Sequence, residues 1–380
     1  MRCGRKSRSS HLLRAVAVAC PLLLLSVYAH AADFTLRYIG QYAITTGTLF
    51  EGVEFGGISG LDRAPDGTYY AISDDRGGER GTPRAYSLAI DYDADGFRSV
   101  TLLRQIFMLR PDATSFSSTR RTVDPESIRV APNGNLYWSS EGNWSPKPGD
   151  RHQPFLREMR VDGSFVRQFS TPAMFDYADN STIGGRDNKL FESLAVTPNG
   201  TIFIATEDAI AQDGPIASVA SGSRLRLTAL AATGDASAQY VYQLGPIPKL
   251  PTVAPHYADN GLVELLALSD SRFLALERGF STGPGITIRI ALADIDGASN
   301  VLNVPSLIGI HPAPMAKEYL LDLDVLKSSF GIVLDNLEGM SWGHLLPNGH
   351  RTLVLVSDNN FQSNQTTQFI AFELVPRSVR

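Results

Sequence analysis

Short stretches rich in apolar and β-branched residues recur along the chain, separated by turns of Pro, Asn, Asp and Gly. Residues 124–143 show the pattern clearly, since two apolar stretches joined by a Pro-Asn-Gly turn lie between carboxylates. Runs of this kind, bounded by turn residues, predict β-strands. Self-similarity at a regular period is typical of repeat folds, so the repeat is the first evidence for the fold class. The arrangement begins at five positions: Ser59, Glu126, Glu192, Glu264 and Glu338.

Each repeat contains two further strand-like stretches, so the pattern predicts four strands per repeat. The last repeat supplies only three, ending with 368–374, and the N-terminal stretch 34–44 is available as the fourth. Pairing of the two termini would close a ring and remove its exposed edges. We therefore predict an all-β protein with a β-propeller fold, five-bladed in the simplest interpretation. A sixth, degenerate blade within 299–335 is the alternative, and 316–329 is the single stretch with a helical pattern.

The first 31 residues have the features of a secretory signal peptide. Five basic residues precede or enter the apolar stretch 12–27, and Ala29-His30-Ala31 fits a cleavage site. The apolar stretch is short and no stop-transfer sequence follows, so we expect no membrane anchor. The prediction is a leader over 1–31, a single domain over 32–380, and a secreted or periplasmic protein.

Removal of that leader changes the composition of the chain. Both cysteines, Cys3 and Cys20, lie within it, which excludes disulfides, a thiol nucleophile and cysteine-ligated zinc from the mature chain. The leader also holds 5 of the 34 basic residues and no acidic one, so the mature charge is 29 − 39 = −10. This balance argues against nucleic acid as a partner and is compatible with cation binding.

The repeat places carboxylates at one face of the predicted ring. In a propeller the first strand of each blade lines the channel and the second runs back beside it, so the start of one and the end of the other share a face. Ser59 occupies the first-strand position in the first repeat, where the other repeats carry Glu. The predicted ring consists of Glu126, Glu192, Glu264 and Glu338 from first strands and Asp74, Asp75, Glu141, Glu207, Asp208, Glu277 and Asp358 from second strands.

Clustered like charges are unfavourable unless cations compensate them, and carboxylate oxygens suit Ca²⁺ or Mg²⁺. A fixed cation can also activate water. The alternative is that each Glu hydrogen-bonds the backbone of the neighbouring blade and holds the ring together. Four basic residues lie close to the same strand ends and could bind an anionic group or neutralise their acidic neighbours. They are Arg76, Arg186, Lys189 and Arg278.

Several motifs together resemble the phytase-like family, also described as "esterase-like activity of phytase". They are Gly57-Ile-Ser-Gly-Leu, Asp124-Pro-Glu-Ser-Ile, Phe191-Glu-Ser-Leu-Ala, Leu276-Glu-Arg-Gly and Asn336-Leu-Glu-Gly-Met, and they extend over nearly the whole mature chain. The resemblance implies an exported propeller and hydrolysis of phosphate esters with calcium. The chain has no dense Lys/Arg cluster for a polyphosphorylated inositol, so phytate itself is not the expected substrate.

These observations predict a metal-dependent ester hydrolase acting on phosphoesters. Its expected catalytic residues are Glu126, Glu192 and Glu338, its Ca²⁺ ligands Asp74, Glu141, Glu207, Glu264 and Asp358, and its substrate-binding residues Arg76, Arg278, Arg186 and Lys189. Hydrolysis of a lactone or carboxylester is one alternative, and a non-catalytic binding or scaffold protein with structural calcium is another. The expected partner is a small anionic ester, and we expect a monomer.

Overall fold

A computed structural model of the chain describes residue 1 and residues 32–180 and 182–377. The predicted leader, 1–31, lies almost wholly outside the described residues. The described chain forms five antiparallel sheets of four strands each, and a two-stranded hairpin of Leu49–Phe50 with Val53–Glu54. Four sheets follow the chain in order, and the fifth joins the two ends of the domain. The fold is the predicted five-bladed β-propeller.

The strands of each blade succeed one another from the channel outwards. Blade 1 comprises Ile58–Arg63, Tyr69–Ser73, Arg84–Asp93 and Gly96–Phe107. Blade 2 comprises Pro125–Val130, Leu136–Ser140, Phe155–Met159 and Phe165–Gln168. Blade 3 comprises Phe191–Val196, Ile202–Thr206, Arg224–Leu230 and Ala236–Gln243. Blade 4 comprises Ala258–Ala267, Arg272–Ser281, Gly285–Asp294 and Ala316–Asp322. Three short 3₁₀ turns lie in the connections, at Pro148–Asp150, Ala173–Phe175 and Ala211–Asp213.

Blade 5 closes the ring, as predicted. Its C-terminal strands Asn336–Trp342, Thr352–Asp358 and Thr366–Pro376 are completed by Phe34–Thr45 from the other end of the domain. Phe34–Thr45 pairs antiparallel with Thr366–Pro376 along its whole length, interrupted by one irregularity between Tyr38 and Gly40. Closure therefore covers the backbone edge that the last three strands would otherwise expose.

The helix predicted over 316–329 is largely wrong. Ala316–Asp322 is the outer strand of blade 4 and pairs with Gly285–Asp294, so only Asp324–Phe330 is helical. That short helix ends at Gly331, which has a left-handed backbone and donates its N–H to the carbonyl of Lys327. The segment forms a strand because it pairs with the outer edge of blade 4, and such tertiary pairing overrides a weak helical preference. The same strand accounts for 299–335 without a sixth blade in the part of the chain described.

The hydrophobic core consists of wedges between neighbouring blades. Each of the five large clusters of buried apolar side chains contains residues of two adjacent sheets; one, for example, joins Phe203 of blade 3 to Phe273 of blade 4. The first strands also approach each other closely around the axis. A Cβ on Gly60 would lie 2.8 Å from the backbone of Glu126 and Ile128, so only glycine fits there. The channel is consequently narrow, and polar groups at its mouth lie near one another.

Candidate functional site

A β-bulge in every first strand positions the side chains at the channel mouth. Regular pairing with the second strand is interrupted at equivalent places in all five blades. A bulge leaves its extra residue outside the ladder and redirects that side chain. The residues at the bulges are Ser59, Glu126, Glu192, Val263 and Glu338.

Glu264 is therefore not the equivalent of the other three glutamates, and its predicted role as a metal ligand is not supported. Val263 takes the bulge position in blade 4, and a shift of one residue turns a strand side chain to the opposite direction. The fully buried Glu264 carboxylate instead pairs with Arg129 at 2.8 Å. It also accepts hydrogen bonds from the Ser127 hydroxyl (2.9 Å) and the Leu194 backbone N–H (3.2 Å).

Arg129 completes this arrangement inside the channel. Its guanidinium also donates to the carbonyls of Leu61 in blade 1 and Leu265 in blade 4. The Arg129–Glu264 pair thus joins four blades across the axis, as the alternative interpretation of the glutamates proposed. We call this pair the channel plug.

The second strands end in a matching ring of five positions. Asp74, Glu141 and Glu207 each donate a backbone N–H to the residue just before the first strand of their own blade, and Asp358 is paired with Asn336. In blade 4 the equivalent residue is Arg278, which is paired with Gly261. The spacing of 15 residues from bulge to ring, as in 126→141 and 192→207, also holds for 263→278. That spacing was the signal by which the sequence could have placed Arg278 in the ring.

These positions surround a cavity of about 700 Å³ at the mouth of the channel. Seven of the predicted site residues line it together with polar and aromatic side chains of blades 4 and 5. The lining includes Asp74, Arg76, Glu126, Glu192, Tyr257, Asp259, Arg278, Phe280, Glu338 and Asp358.

An acidic cluster lies on the blade 2 side of this mouth. Carboxylate oxygens of Asp124, Glu126 and Glu141 lie within 4.8 Å of one another, and all three residues are buried. Glu141 accepts a hydrogen bond from the Leu190 N–H through Oε1, whereas its buried Oε2 has no hydrogen-bond donor among the described residues. Arg76 lies beside the cluster, with Nε 2.8 Å from Asp124 Oδ1. One guanidinium group, that of Arg76, thus lies beside three buried carboxylates.

The protonation of these groups reflects their burial. Burial raises the pKa of Asp124 to about 6, although Arg76 opposes the rise. Burial, reinforced by neighbouring carboxylates, raises the pKa of Glu126 and of Glu141 well above the ordinary value. Buried carboxylates with an unpartnered oxygen fit a hard divalent cation, since such an ion would supply the missing partner. The residues present therefore satisfy the chemistry of a Ca²⁺ or Mg²⁺ site.

On the opposite side of the mouth the carboxylates are already paired. Lys189 Nζ lies 2.6 Å from Glu207 and 3.6 Å from Asp259. Arg278 contacts Asp259 at 3.3 Å and Glu338 at 3.1 Å. Burial alone would raise the pKa of Asp259, but Arg278 and Lys189 hold it below its ordinary value. On this side two basic groups thus pair with three carboxylates, and Lys189 holds Glu207, a predicted metal ligand.

Glu192 lies between the two sectors and has no polar partner for its carboxylate among the described residues. It is 7% exposed and lines the cavity. Burial, followed by the charges of Glu141 and Glu207, raises its pKa well above the ordinary value. A buried carboxylate with a raised pKa that faces a cavity can accept a proton near neutral pH.

Asp74 and Asp358 complete the ring toward blades 5 and 1. Asp358 accepts a hydrogen bond from the Asn360 N–H at 2.6 Å, while the buried Oδ1 of Asp74 has no donor among the described residues. Burial raises the pKa of both well above the ordinary value, reinforced for Asp74 by Asp358 and for Asp358 by Glu338.

Two further findings correct the sequence analysis. Arg186 does not face the mouth, because its guanidinium donates to the carbonyls of Ala209 and Gly214 at 3.0 Å and fastens those loops. Conversely, Asp124 and Asp259 belong to the site and were not predicted as site residues. Asp124 could have been found from its place two residues before Glu126 in a strand, whereas Asp259 reaches the mouth only because the first strand of blade 4 is extended.

The sequence of the chain matches one family model over residues 53–361, and the family is described as "Phytase-like: Esterase-like activity of phytase". No curated protein matches the chain. None of the described helices is long and apolar enough to cross a membrane.

Similar solved structures share little sequence with the chain. A β-xylosidase/α-arabinofuranosidase from a compost microbial metagenome is 11% identical, with a TM-score of 0.42 over 90% of this chain and 96% of that one. An N-acetylgalactosamine deacetylase from F. plautii is 10% identical, with a TM-score of 0.42 over 90% and 95%. A streptogramin B lyase is 10% identical, with a TM-score of 0.32 over 88% and 98%.

Proposed function

The chain belongs to the phytase-like family, and from this premise and the geometry of the channel mouth we propose that it is an exported, metal-dependent hydrolase of ester bonds. One observation carries the proposal. The cluster of Asp124, Glu126 and Glu141 includes the unpartnered Oε2 of Glu141, and its member Glu126 lines the same cavity as the unpaired carboxylate of Glu192.

The metal-binding residues in this proposal are Asp124, Glu126 and Glu141, and the metal is Ca²⁺. A divalent cation held there would polarise an ester oxygen and acidify a water molecule. Glu192 accepts the proton of the attacking water, a role that its raised pKa supports at neutral pH. Arg76 and Arg278 face the same cavity and bind the anionic part of the substrate.

Charge at the mouth limits the substrate to a small anion. Ten carboxylates of the described residues face or adjoin the cavity, and Arg76, Lys189 and Arg278 are the basic groups that oppose them. The ten are Asp74, Asp124, Glu126, Glu141, Glu192, Glu207, Asp259, Asp335, Glu338 and Asp358. A polyphosphorylated substrate would meet this excess of negative charge. We therefore propose a phosphomonoester with one charged group rather than phytate.

The cavity also favours a second candidate. Tyr257 and Phe280 lie 6.2 Å apart, centroid to centroid, and both line it with Ile286, Val333 and Leu334. An apolar wall of this kind suits an uncharged ester with an apolar group. Hydrolysis of a lactone or carboxylester by the same carboxylates is accordingly the alternative activity.

The test is metal analysis of the purified mature protein, followed by assays with p-nitrophenyl phosphate, p-nitrophenyl acetate and a lactone, with and without Ca²⁺. The expected result is calcium-dependent turnover of the phosphate ester. Preference for the acetate or the lactone would favour the second candidate. Calcium binding without turnover of any ester would leave a scaffold with structural calcium and overturn the enzyme proposal.

A matched pair of variants tests the role of Glu192. Glu192→Gln keeps the size of the side chain but cannot accept the proton, so turnover should fall about a hundredfold or more. Glu51→Gln removes the same charge from an exposed turn and should leave turnover unchanged. Equal activity of the two variants would exclude Glu192 as the general base.

Export is tested separately. If residues 1–31 are a signal peptide, the N-terminal sequence of protein recovered from the periplasm or medium should begin at or near Ala32. Folded product that retains Met1 would contradict the proposed export.

A further inference from the structure

A second cavity, of about 560 Å³, lies on blade 2, and none of the proposed catalytic or metal-binding residues lines it. It is enclosed by the link between blades 1 and 2, the connection that precedes Phe155–Met159, and the two outer strands of blade 2. No acidic residue lines it, although three arginines do, in a chain whose acidic residues outnumber its basic ones. The arginines are Arg110, Arg120 and Arg157.

Arg157 is held in place but not neutralised. It lies opposite Gln168 in the sheet, and its Nε donates to Gln168 Oε1 at 3.0 Å. Its guanidinium stacks over Phe155, 3.7 Å from the ring centroid. In the part of the chain that the structure describes, no carboxylate pairs with it and its two terminal amino groups have no acceptor.

The half-buried Arg157 differs from two fully buried arginines of this protein. Arg84 is paired with Asp75 at 2.7 Å, and Arg226 with Asp213 at 2.6 Å. Both guanidinium groups are fully buried and satisfied within the fold. Partial burial of Arg157 without such a partner lowers its pKa to about 10, an effect to which Arg110 contributes. An anion in the cavity would supply the missing charge and acceptors.

The other residues that line the cavity indicate which further groups a ligand would carry. Phe116, Val123 and Pro154 are buried apolar residues of the lining. His152 adds a buried Nε2 that has no hydrogen-bond partner among the described residues. Burial and the charge of Arg120 lower the pKa of His152, so the ring is neutral at pH 7 and can donate one hydrogen bond. A bare oxyanion would leave the apolar walls without contact.

We propose that this cavity is a binding site for a small organic anion, with a carboxylate or phosphonate-like head bound by Arg157 and Arg110 and a flat apolar body against Phe116 and Pro154. A guanidinium that stacks on an aromatic ring retains its planar fork for such a head. The site is separate from the carboxylates of the channel mouth and does not depend on the proposed hydrolysis.

Calorimetric titration of the mature protein tests the proposal with four probes at constant ionic strength and without added calcium. Benzoate and phenylphosphonate should bind saturably with one site each. Inorganic phosphate should bind more weakly, because it lacks the apolar body, and benzyl alcohol should not bind. Equal affinity for phosphate and phenylphosphonate would overturn the apolar part of the site, and absence of saturable binding by both organic anions would overturn the site itself.

Variants locate the binding. Arg157→Gln should weaken benzoate at least about tenfold, since a hydrogen bond to a charged group is lost. Arg110→Gln, at an exposed residue whose loss does not threaten folding, should weaken it in the same direction. Arg160→Gln removes an equal charge from an exposed position in the same blade and should leave affinity within about twofold. Equal weakening by Arg160→Gln would show a general charge effect and contradict the proposal.

Discussion

The channel plug and the acidic cluster of the mouth are both built from carboxylates of the same repeat, but they differ in what surrounds them. Glu264 has Arg129, the Ser127 hydroxyl and two backbone N–H groups as partners. Glu141 at the mouth has one backbone donor and an oxygen without any. A saturated carboxylate stabilises the ring, whereas an unsaturated one stores unfavourable energy that a ligand can relieve.

This difference shows how one repeat provides both architecture and chemistry. The glutamates at the bulge positions of blades 2, 3 and 5 face the mouth of the channel. In blade 4 the glutamate lies one residue after the bulge, and its side chain lies inside the channel. Removal of a charge should therefore have opposite consequences in the two regions. The following predictions test that contrast.

The largest effect is expected at the plug. Glu264→Gln leaves Arg129 buried without its counter-charge, so the free energy of unfolding should fall by about 3 kcal/mol or more. Glu192→Gln, the same substitution at a carboxylate without a partner, should leave that free energy unchanged or raise it. Urea unfolding of both variants in calcium-free buffer measures the difference, and equal losses would remove the distinction between plug and mouth.

Stabilisation by Ca²⁺ should depend on the carboxylates of the mouth and not on the channel plug. Because only the folded protein assembles the cluster, Ca²⁺ at about 100 times its dissociation constant should stabilise the wild type by about 2.7 kcal/mol. Glu141→Gln should abolish most of this gain, whereas Glu51→Gln should retain it. Thermal unfolding with and without Ca²⁺ provides the measurement. A full calcium response in Glu141→Gln would place the ion elsewhere.

Stability should also depend on pH in a direction that the buried carboxylates determine. Burial raises the pKa of Asp124 to about 6 and that of Glu264 to about 7, above the values near 4 of the unfolded chain. The folded state thus binds more protons between these values, and the stability of the calcium-free protein should fall as pH rises from about 4 to about 7.

Calcium should reverse part of that dependence, because a bound cation favours the deprotonated ligands. Urea unfolding at pH 5 and pH 7, in EDTA and in Ca²⁺, measures both slopes. Higher stability of the calcium-free protein at pH 7 than at pH 5 would contradict the raised pKa values.

The smallest effect concerns one donor of the plug. Ser127→Ala removes a hydroxyl that donates to Glu264 at 2.9 Å, while Arg129 and the backbone donors remain. The free energy of unfolding should fall by about 1 kcal/mol, with the calcium response unchanged. A reduced calcium response would mean that the plug and the mouth are coupled.

The sequence by itself determined the architecture and the acidic character of the site. The repeat predicted four strands per blade, five blades in the simplest interpretation and the pairing of 34–44 with the C-terminal strand, because alternation and turn residues are local signals. It also placed Asp74, Glu126 and Glu192 at one mouth. These features follow from the order of residues along single strands, and each repeat shows a similar order.

Which carboxylates pair inside the channel and which line its mouth follows only from the tertiary structure. A bulge shifts the register by one residue without a mark in the local pattern, so Val263 rather than Glu264 takes the bulge position and Glu264 turns into the channel. The pairing of Glu264 with Arg129 joins residues 135 positions apart (264 − 129). Likewise Ala316–Asp322 became a strand because blade 4 had an open edge. Register, distant partners and open edges exist only when blades meet, and no single stretch of the chain contains them.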